Sequence, residues 1–447
     1  MNIIDFEKRL YNLLLNHLNE IYNFDEYVEL LSFENNSILN YVLSHAYFAC
    51  GNIENAQKYR NIAVQLNSNF EFEKDYKNIF LYIYYLFSTI TTQESPFIDD
   101  EIDLIIKNNP KAEDYIMASE TYRNNNDIGN AVRVTNIGIN NYPNENHLKY
   151  EMASNLLYSR NIDNAWFYNE LRFDFIRKNL PQFINKPKFE LQKTSARVYV
   201  YPVTKLGDTI FFARYVIKLK QDYPKLKLFV ITNSAIRTLF EENGITVYDK
   251  VNKSMVDYQI SFEGLPYLYK NNSKILTDKY LKANVTKTNN FKEAYFSNNK
   301  KKIGIVWKSS KEKDDRNIPI EFFENLFKNS KFQIYSLQKE ITLQEQIFLT
   351  KYNVVNLGIK FKDFSDTAAA IENLDFIIGC DTSVTNLAGA IGKTTLLILP
   401  NHGDWRWGLF EETSEWYKSI KIYRKNKNND LNEVFYRIEN YLNKCSI

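Results

Sequence analysis

Two short patterns in the segment Phe376–Pro400, FIIGCDTSVTNLAGAIGKTTLLILP, contain residue types that can bind phosphate. GKTT matches the end of a Walker A loop, but that loop needs a glycine five residues before Gly392, where this chain has Leu387. Gly392 also ends a predicted helix and leads into a strand, which is the ordinary use of glycine as a helix C-cap. The sequence therefore does not predict a phosphate loop at Gly392–Lys393.

The other end of the same predicted helix is a better candidate for an anion site. Asp381, Thr382 and Ser383 lie between the strand LDFIIGC and the helix VTNLAGAI. All three are common N-cap types, and a helix N-terminus beyond the carboxyl end of a strand offers free N–H groups and a positive dipole to a phosphate. Helix capping alone would be the commoner explanation, so the prediction depends on the residues that accompany this turn.

A carboxylate in the segment VTKLGDTIFFARY can supply general base catalysis. Gly207 permits a close backbone turn after a predicted strand, and Asp208 lies at the start of a helix predicted from about Leu206 to Asp222. The alternative is that Asp208 merely caps a helix beginning at Thr209. The local pattern favours neither interpretation.

Positive and polar side chains follow two further predicted strands, KIGIVWK and FQIYSLQ. The residues at the end of the first strand and after it that could hold a diphosphate are Lys308, Ser309, Lys313 and Arg316. The stretch from 311 to 316, taken alone, is more typical of a solvated loop. Gln338 and Glu340, at the end of the second strand, are weaker candidates for contacts to a nucleoside.

Aromatic residues and a histidine near the C-terminal strands have weaker functional interpretations. The aromatic set that could stack on a base consists of Trp405, Trp407, Trp416 and Tyr417, but we favour their packing with the C-terminal helices. His402 is more typical of a surface loop than of a site. The four histidines and three cysteines form no ligand cluster in the sequence, so we expect neither a metal site nor a disulfide framework.

The composition is that of an ordinary globular protein with several domains. The chain has 447 residues, of which 44% are hydrophobic and 25% charged, and a net charge of +2. At about 150 residues per domain this length predicts roughly three domains, and the small net charge gives no field that would attract nucleic acid. The N-terminus lacks the apolar core of a signal peptide, and no apolar run reaches the ~20 residues that span a bilayer. We therefore expect a cytoplasmic protein.

Two series of short buried strands, alternating with helices, follow residue 178. The first series is RVYVYPV, KLKLFVI, GITVY and VDYQISF, and the second is KIGIVWK, FQIYSLQ, NVVNL, LDFIIGC, TTLLILP and IKIYR. Tandem βαβ series imply two Rossmann-like α/β domains that face each other across a cleft, which we place at residues 179–295 and 296–447. Because ligands bind at the carboxyl ends of such strands, the candidate residues would meet in that cleft.

Residues 1–178 show helical spacing with a repeat of about 34 residues. In the segment from 118 to 143, the characteristic positions of a helix-turn-helix repeat fall on Tyr122, Ala131, Gly138 and Pro143. Corresponding positions in other copies of the pattern are Tyr47, Gly51, Ala56, Ala63 and Ala165. These segments resemble tetratricopeptide repeats, which stack into a solenoid whose concave face commonly binds a peptide or protein. An irregular helical bundle is the alternative.

An ordered set of motifs carries a wider resemblance. GDTIFFARY, IGIVWKSS with DDRNIP, YSLQKE, IIGCDTSVTNLAGAIGK and DWRWG with EWYKSIKIYR together resemble bacterial proteins in which tetratricopeptide repeats precede a family-nine glycosyltransferase domain of the ADP-heptose heptosyltransferase class. The resemblance implies a GT-B fold of two Rossmann-like domains, a nucleotide-sugar donor, inversion at the anomeric carbon and no metal. It assigns the general base to Asp208 and the donor phosphates to the turn at 381–383. Where the family usually has histidine this chain has Asn386, which can donate a hydrogen bond but carries no charge.

The resemblance thus implies a metal-independent inverting glycosyltransferase that uses no cofactor beyond its nucleotide-sugar co-substrate. Asp208 would deprotonate an acceptor hydroxyl. The helix N-terminus after residue 382, assisted by Asn386, Lys308 and Arg316, would hold the departing diphosphate. The acceptor would be a glycan or a protein, and the repeats would recruit it or another partner. Two alternatives stay open: a non-catalytic repeat scaffold with a decayed GT-B domain, and a protein O-glycosyltransferase resembling O-GlcNAc transferase.

Overall fold

The computed structural model describes residues 53–66, 111–177, 182–269, 278–309, 314–401, 403–409, 411–425 and 430–445, together with the single positions 40, 43, 44, 47 and 180. The chain divides into two compact units, Met1–Asn161 and Ile162–Ile447. Among the residues singled out above, Gly51, Lys313 and His402 lie outside the described residues. The domain boundaries that we place at 178 and 295 stay predictions.

The described part of the first unit is helical. Its helices are α1 (Ile53–Leu66), α2 (Ala112–Asn124), α3 (Ile128–Asn141) and α4 (Asn146–Tyr158). Gly138 of α3 lies so close to its neighbours that a Cβ atom there would meet Tyr115 and Leu148 at 2.9 Å. Tyr122 and Ala131 are buried in the same core. Small and bulky residues thus pack where α2, α3 and α4 meet, while their assignment to tetratricopeptide repeats stays a prediction.

The second unit alternates helices and strands. Its strands are β1 (Arg197–Tyr201), β2 (Lys227–Val230), β3 (Tyr258–Ser261), β4 (Lys301–Val306), β5 (Phe332–Ser336), β6 (Val355–Asn356), β7 (Phe376–Cys380), β8 (Thr395–Leu399) and β9 (Ile420–Arg424). Its helices are α5 (Ile162–Arg177), α6 (Leu206–Asp222), α7 (Ser234–Glu242), α8 (Leu265–Leu268), α9 (Val285–Tyr295), α10 (Glu324–Lys328), α11 (Leu343–Lys351), α12 (Phe364–Glu372), α13 (Ser383–Ile391) and α14 (Leu431–Lys444).

The described strands of this unit form two parallel sheets, with the orders β2-β1-β3 and β6-β5-β4-β7-β8-β9. We call the part that contains the three-stranded sheet the first lobe and the part that contains the six-stranded sheet the second lobe. In both sheets the first strand lies in the interior and later strands add on either side, which creates a crevice at the carboxyl ends of the strands. The α/β class with parallel sheets is as predicted and is consistent with a GT-B-like fold.

Two predicted strands are wrong in extent. GITVY contributes an isolated bridge between Val230 and Val247, because β2 ends at Val230 and offers no further partner. NVVNL contributes the two-residue strand β6 at the edge of the sheet, because a 3₁₀ turn begins at Gly358. The other strands that line the crevice agree with the sequence pattern.

Of the two helices that matter most for the site, α6 begins and ends as predicted, and α13 begins at Ser383, one residue before its predicted start. The predicted span Leu206–Asp222 is α6, and α13 ends at Gly392, whose φ of 83° is left-handed. The interpretation of GKTT as a C-cap followed by a strand is therefore confirmed. Within the described residues, no helix combines the length and apolar character needed to cross a membrane.

The loop between β8 and β9 packs on α6 of the first lobe. Phe211 of α6 makes edge-on ring contacts with Trp405, Trp416 and Tyr417, at centroid distances of 5.7, 5.3 and 6.0 Å. Trp407 stacks on Tyr417 at 5.9 Å. The predicted packing role of these aromatic residues is confirmed, but the helix that they cover is α6 and not one at the C-terminus.

Arg214 lies fully buried beneath this loop. It donates hydrogen bonds to the carbonyl oxygens of Trp416 and Phe211 at 3.0 and 2.9 Å, and to the hydroxyl of Tyr280 at 3.3 Å. Its guanidinium carbon lies 4.2 Å from the ring centre of Phe211 and 4.7 Å from those of Tyr280 and Tyr417. Ring faces therefore stabilise this buried charge, and Arg214 ties the first lobe to the second.

Candidate active site

A cleft of about 1310 Å³ is lined by residues that follow β1, β2, β4, β5, β7 and β8. The structure brings together in this cleft all of the described residues that the sequence nominates for the site. They are Gly207, Asp208, Lys308, Ser309, Arg316, Gln338, Glu340, Asp381, Thr382, Ser383 and Asn386. They come from both lobes, so a ligand in the cleft would contact both.

The Gly-Asp turn of the first lobe lies against the N-terminus of α13 in the second. A Cβ atom built on Gly207 would lie 3.6 Å from the Cα atom of Ser383 and 3.6 Å from Nδ2 of Asn386. These are ordinary van der Waals distances. The residue after this glycine, Asp208, therefore lies close to the candidate anion turn.

Asp208 occupies the first turn of α6 and is bonded on both sides. Its Oδ2 accepts a hydrogen bond from the backbone N–H of Lys205 at 3.3 Å, and its Oδ1 accepts one from Nη2 of Arg406. The alternative helix start at Thr209 is wrong, because α6 begins at Leu206. The side chain is 27% exposed, so a ligand in the cleft can reach it.

Arg406, in the short 3₁₀ turn Trp405–Trp407, is a site residue that sequence reasoning missed. It lines the cleft, and 9% of its side chain is exposed. Burial acts to lower the pKa of Arg406, but the carboxylates of Asp404, Asp208 and Asp381 raise it above its usual value overall. The available signal was the DWRWG motif, because Asp404 lies two residues before Arg406 and a buried arginine needs a carboxylate partner.

The loop before Asp208 is fixed by Glu263, which sequence reasoning also missed. This buried carboxylate follows β3, and its Oε1 accepts hydrogen bonds from the backbone N–H groups of Thr204 and Val203 at 2.9 and 3.1 Å. The hydroxyl of Thr204 donates to the same oxygen at 2.5 Å. Burial raises the pKa of Glu263, while these hydrogen bonds oppose the shift.

The candidate anion turn has the geometry of an open helix N-terminus. Thr382 is the N-cap of the nine-residue α13, and its backbone N–H donates to the hydroxyl of Thr385 at 2.9 Å. The hydroxyl oxygen of Thr382 is buried and has no hydrogen-bond partner among the described residues. The first N–H groups of a helix have no partner within the helix and carry the positive end of its dipole. An anion can therefore be bound here.

Arg316 brings a positive charge to this turn. Its Nη1 donates to the carbonyl oxygen of Asp381 at 3.1 Å, and its Nε and Nη2 pair with Asp314 at 2.9 and 2.5 Å. The hydrogen bonds to Asp314 raise the pKa of Arg316, and the guanidinium holds the pKa of Asp314 well below its usual range. Arg316 thus remains charged beside the N-terminus of α13.

Asp381 is buried at the end of β7 with charges on two sides. Burial raises the pKa of Asp381 to about 6, and the negative charge of Asp404 adds to this shift, while Arg406 and Arg316 oppose it. Its Oδ1 accepts a hydrogen bond from Nδ2 of Asn386 at 3.3 Å. Asp381 therefore stabilises the turn through its hydrogen bond with Asn386.

Asn386 is engaged with protein groups on every side. Its Nδ2 donates to Oδ1 of Asp381 and to the carbonyl oxygen of Thr382 at 3.3 and 3.0 Å. Its Oδ1 accepts a hydrogen bond from the hydroxyl of Tyr417 at 3.1 Å. Both amide hydrogens are thus used, and a hydrogen bond from Asn386 to a phosphate would require the loss of one of these contacts.

Lys308 is paired in this structure with Glu345, a carboxylate that sequence reasoning missed. The Nζ of Lys308 lies 2.6 Å from Oε2 of Glu345, and Nε1 of Trp307 donates to Oε1 at 2.7 Å. Burial acts to raise the pKa of Glu345, but the bond from Lys308 and its other hydrogen bonds lower it overall. Lys308 would therefore change partners to reach a phosphate.

The remaining candidates support the loops or lie at the rim. The Oε1 of Gln338 accepts hydrogen bonds from the backbone N–H groups of Trp307 and Lys308 at 3.3 and 3.2 Å, which joins the ends of β4 and β5. The hydroxyl of Ser309 donates to Asp314 at 2.8 Å. Glu340 is exposed along the cleft. In the described residues, no group of three or more His, Cys, Asp or Glu side chains is arranged to hold a metal ion.

No protein-family model and no curated protein matches the chain. The chain is similar to several solved structures of glycosyltransferases. A family 9 glycosyl transferase from Veillonella parvula is 13% identical, with 56% of this chain and 89% of that chain covered and a TM-score of 0.40. The E. coli heptosyltransferase WaaC with ADP is 12% identical, with 56% and 99% covered and a TM-score of 0.41. A Thermobaculum terrenum O-GlcNAc transferase is 10% identical, with 100% and 95% covered and a TM-score of 0.25.

Proposed function

We propose that this protein is an inverting glycosyltransferase that moves a sugar from a nucleotide-sugar donor to a hydroxyl group of an acceptor. One observation supports this most strongly: a carboxylate, Asp208, and an open helix N-terminus, at Ser383, line the same cleft from opposite lobes. The proximity of Gly207 to Ser383, where a Cβ atom built on the glycine would lie 3.6 Å from the Cα atom of the serine, brings the two groups close together. Glycosyl transfer needs these two functions at neighbouring points, because a proton leaves the acceptor while negative charge develops on the leaving diphosphate.

In this proposal Asp208 is the general base. It takes the proton of the acceptor hydroxyl, and the acceptor oxygen forms a bond with the anomeric carbon of the sugar. The bond from that carbon to the diphosphate breaks, and its electron pair leaves with the nucleoside diphosphate. Because the acceptor and the leaving group lie on opposite faces of the sugar, the anomeric configuration is inverted.

The leaving diphosphate is stabilised by the second lobe. The first N–H groups of α13 donate to it, and Arg316 and Lys308 neutralise its charge. Lys308 does so once it leaves Glu345. Gln338 and Glu340 lie where they can contact the nucleoside. The protein groups thus supply the positive charge that the reaction needs, and the proposal includes neither a metal nor a further cofactor.

Our assignment of the sugar class is based on the resemblance of the sequence motifs, and the lining of the cleft does not contribute to it. We assign the donor to the hexosyl and heptosyl class, with a glycan or a protein as acceptor. The helices of the first unit would recruit that acceptor or another partner in the cytoplasm.

The experiment is a search for the donor followed by one substitution. A true nucleotide-sugar donor should raise the melting temperature, because it binds the folded state. Asp208→Asn should then reduce transfer by about 100-fold or more while donor binding persists. Asp222→Asn, on the exposed far end of the same helix, is the matched control and should transfer at the wild-type rate. Undiminished turnover by Asp208→Asn would refute the proposed base.

A further inference from the structure

The ion pair between Asp208 and Arg406 joins the two lobes at the proposed base. Asp208 belongs to α6 of the first lobe, whereas Arg406 belongs to the 3₁₀ turn after β8 in the second. The Nη2 atom of Arg406 donates directly to Oδ1 of Asp208. A residue 198 positions away along the chain thus sets the direction of this carboxylate.

Other groups hold Arg406 in a fixed orientation. Oδ1 of Asp404 accepts hydrogen bonds from Nη1 and from the backbone N–H of Arg406, at 2.7 and 3.0 Å. The guanidinium carbon lies 4.7 Å from the ring centres of both Phe211 and Trp405. A planar guanidinium can bond two carboxylates through separate nitrogens while its faces stack on rings, and a lysine cannot do both.

The two oxygens of the Asp208 carboxylate differ in their surroundings. Oδ1 is directed at Arg406, whereas Oδ2 has a longer contact of 3.3 Å with the backbone N–H of Lys205. The side chain is partly exposed in the cleft. Oδ2 is therefore the oxygen that is better able to receive a proton from a ligand.

We infer that Arg406 is a positioning residue for sugar transfer, which orients the Asp208 carboxylate and leaves Oδ2 for the proton of the acceptor. The inference rests on the proposed function. In the step, the O–H bond of the acceptor breaks, its proton bonds to Oδ2, and the electron pair stays on the acceptor oxygen. Because Asp208 and Arg406 belong to different lobes, the base is correctly oriented when the lobes meet as they do here.

The test is chemical rescue of Arg406→Ala. This variant should lose about 100-fold in kcat, while its donor affinity, measured by thermal shift, changes less than about threefold. Millimolar methylguanidinium should restore kcat about tenfold or more, because the cation can fill the vacated position beside Asp208. Methylurea, a neutral molecule of similar shape, should not. The double variant Asp208→Asn/Arg406→Ala should gain nothing from either compound.

Several results would overturn the inference. Wild-type kcat in Arg406→Ala does so, and so does equal rescue by methylurea, which would indicate that filling space is sufficient. If Arg406→Ala does not fold, Asp404→Ala removes the oxygen that accepts from Nη1 of Arg406 and should lower kcat about tenfold at unchanged donor affinity; wild-type kcat there also overturns it. Activity of the wild-type protein distinguishes the two ideas. If the wild type transfers sugar and the variants behave as just described, only the role of Arg406 is wrong; if the wild type transfers no sugar from any nucleotide sugar, the proposed function is refuted as well.

Discussion

The carboxylate of Glu263 accepts a 2.9 Å hydrogen bond from the backbone N–H of Thr204, although 59 positions separate the two residues. With the further bond from Val203, it fixes the loop between β1 and α6. This loop precedes Asp208 and lines the cleft. A buried carboxylate that takes no part in the proposed reaction therefore holds the loop that leads into α6, the helix that carries the proposed base.

Replacing Glu263 by glutamine should loosen this loop. With the amide oxygen of the new side chain at the Oε1 position, its NH2 group would replace Oε2 and face the N–H donor of Val203, which lies 3.2 Å from Oε2, so Glu263→Gln should destabilise the protein by about 1–3 kcal/mol. Denaturant unfolding measures this loss. The control is Glu340→Gln, which changes an exposed residue of the same cleft and should cost less than about 0.5 kcal/mol. Equal stability of the two variants would contradict the role of Glu263.

The buried Asp381 should make stability depend on pH. Its pKa is raised from its ordinary value of 3.8 to about 6, so the folded state holds this proton more tightly than the unfolded state does. The stabilising contribution is complete below pH 3.8 and is lost as the pH rises through 6. Over that window the unfolding free energy of the wild type should fall relative to Asp381→Asn by up to about 3 kcal/mol. Denaturant unfolding of both proteins across this pH range measures the difference. Unfolding free energies that change with pH in the same way in both proteins would contradict the prediction.

Arg214→Met should weaken the junction of the lobes. The substitution removes the hydrogen bonds to Trp416 and Tyr280 and leaves buried oxygen atoms without a donor, which should cost about 2–3 kcal/mol in unfolding free energy. Arg237→Met is the control, because Arg237 is partly exposed and forms only surface ion pairs in high dielectric, so its replacement should cost much less than that of Arg214. If both substitutions cost the same, Arg214 does not hold the lobes together.

Gly207 should tolerate one additional carbon atom but not a branched side chain. The Cβ of Gly207→Ala fits at 3.6 Å from Ser383 and Asn386, and alanine favours a helix by about 1 kcal/mol over glycine. This variant should therefore bind the donor like the wild type. Gly207→Leu would extend towards the N-terminus of α13 and should lower donor affinity about tenfold or more. Calorimetric titration with the donor compares the two, and equal affinities would show that the donor does not approach this turn.

Local patterns in the sequence predict much of this fold. The span of α6, the C-cap at Gly392 and the parallel α/β class follow from helical spacing, a glycine between helix and strand, and buried strand runs. The meeting of the candidate residues in one cleft follows from the rule that ligand-binding loops lie at the carboxyl ends of parallel strands.

The contacts of the site could not be predicted in the same way. Glu263, Glu345 and Arg406 are charged residues whose partners lie in other elements, and the sequence alone gives no distance between those elements. The residue type of Asn386 suggests a side chain that donates a hydrogen bond to phosphate. In the structure, however, its amide group is hydrogen-bonded to Asp381 and Tyr417. Partner choice among buried polar groups depends on tertiary packing, which residue type and spacing do not specify.

The loop that covers α6 is synthesised long after the helix itself. Arg214 and Trp416 are separated by 202 residues, so at about 5–20 residues per second a ribosome completes the covering loop roughly 10–40 s after the helix. During that interval Phe211 lacks the rings of Trp405, Trp416 and Tyr417 that cover it in the folded protein. The nascent first lobe is therefore an expected client of chaperones, and slow codons before residue 400 would prolong its exposure to aggregation.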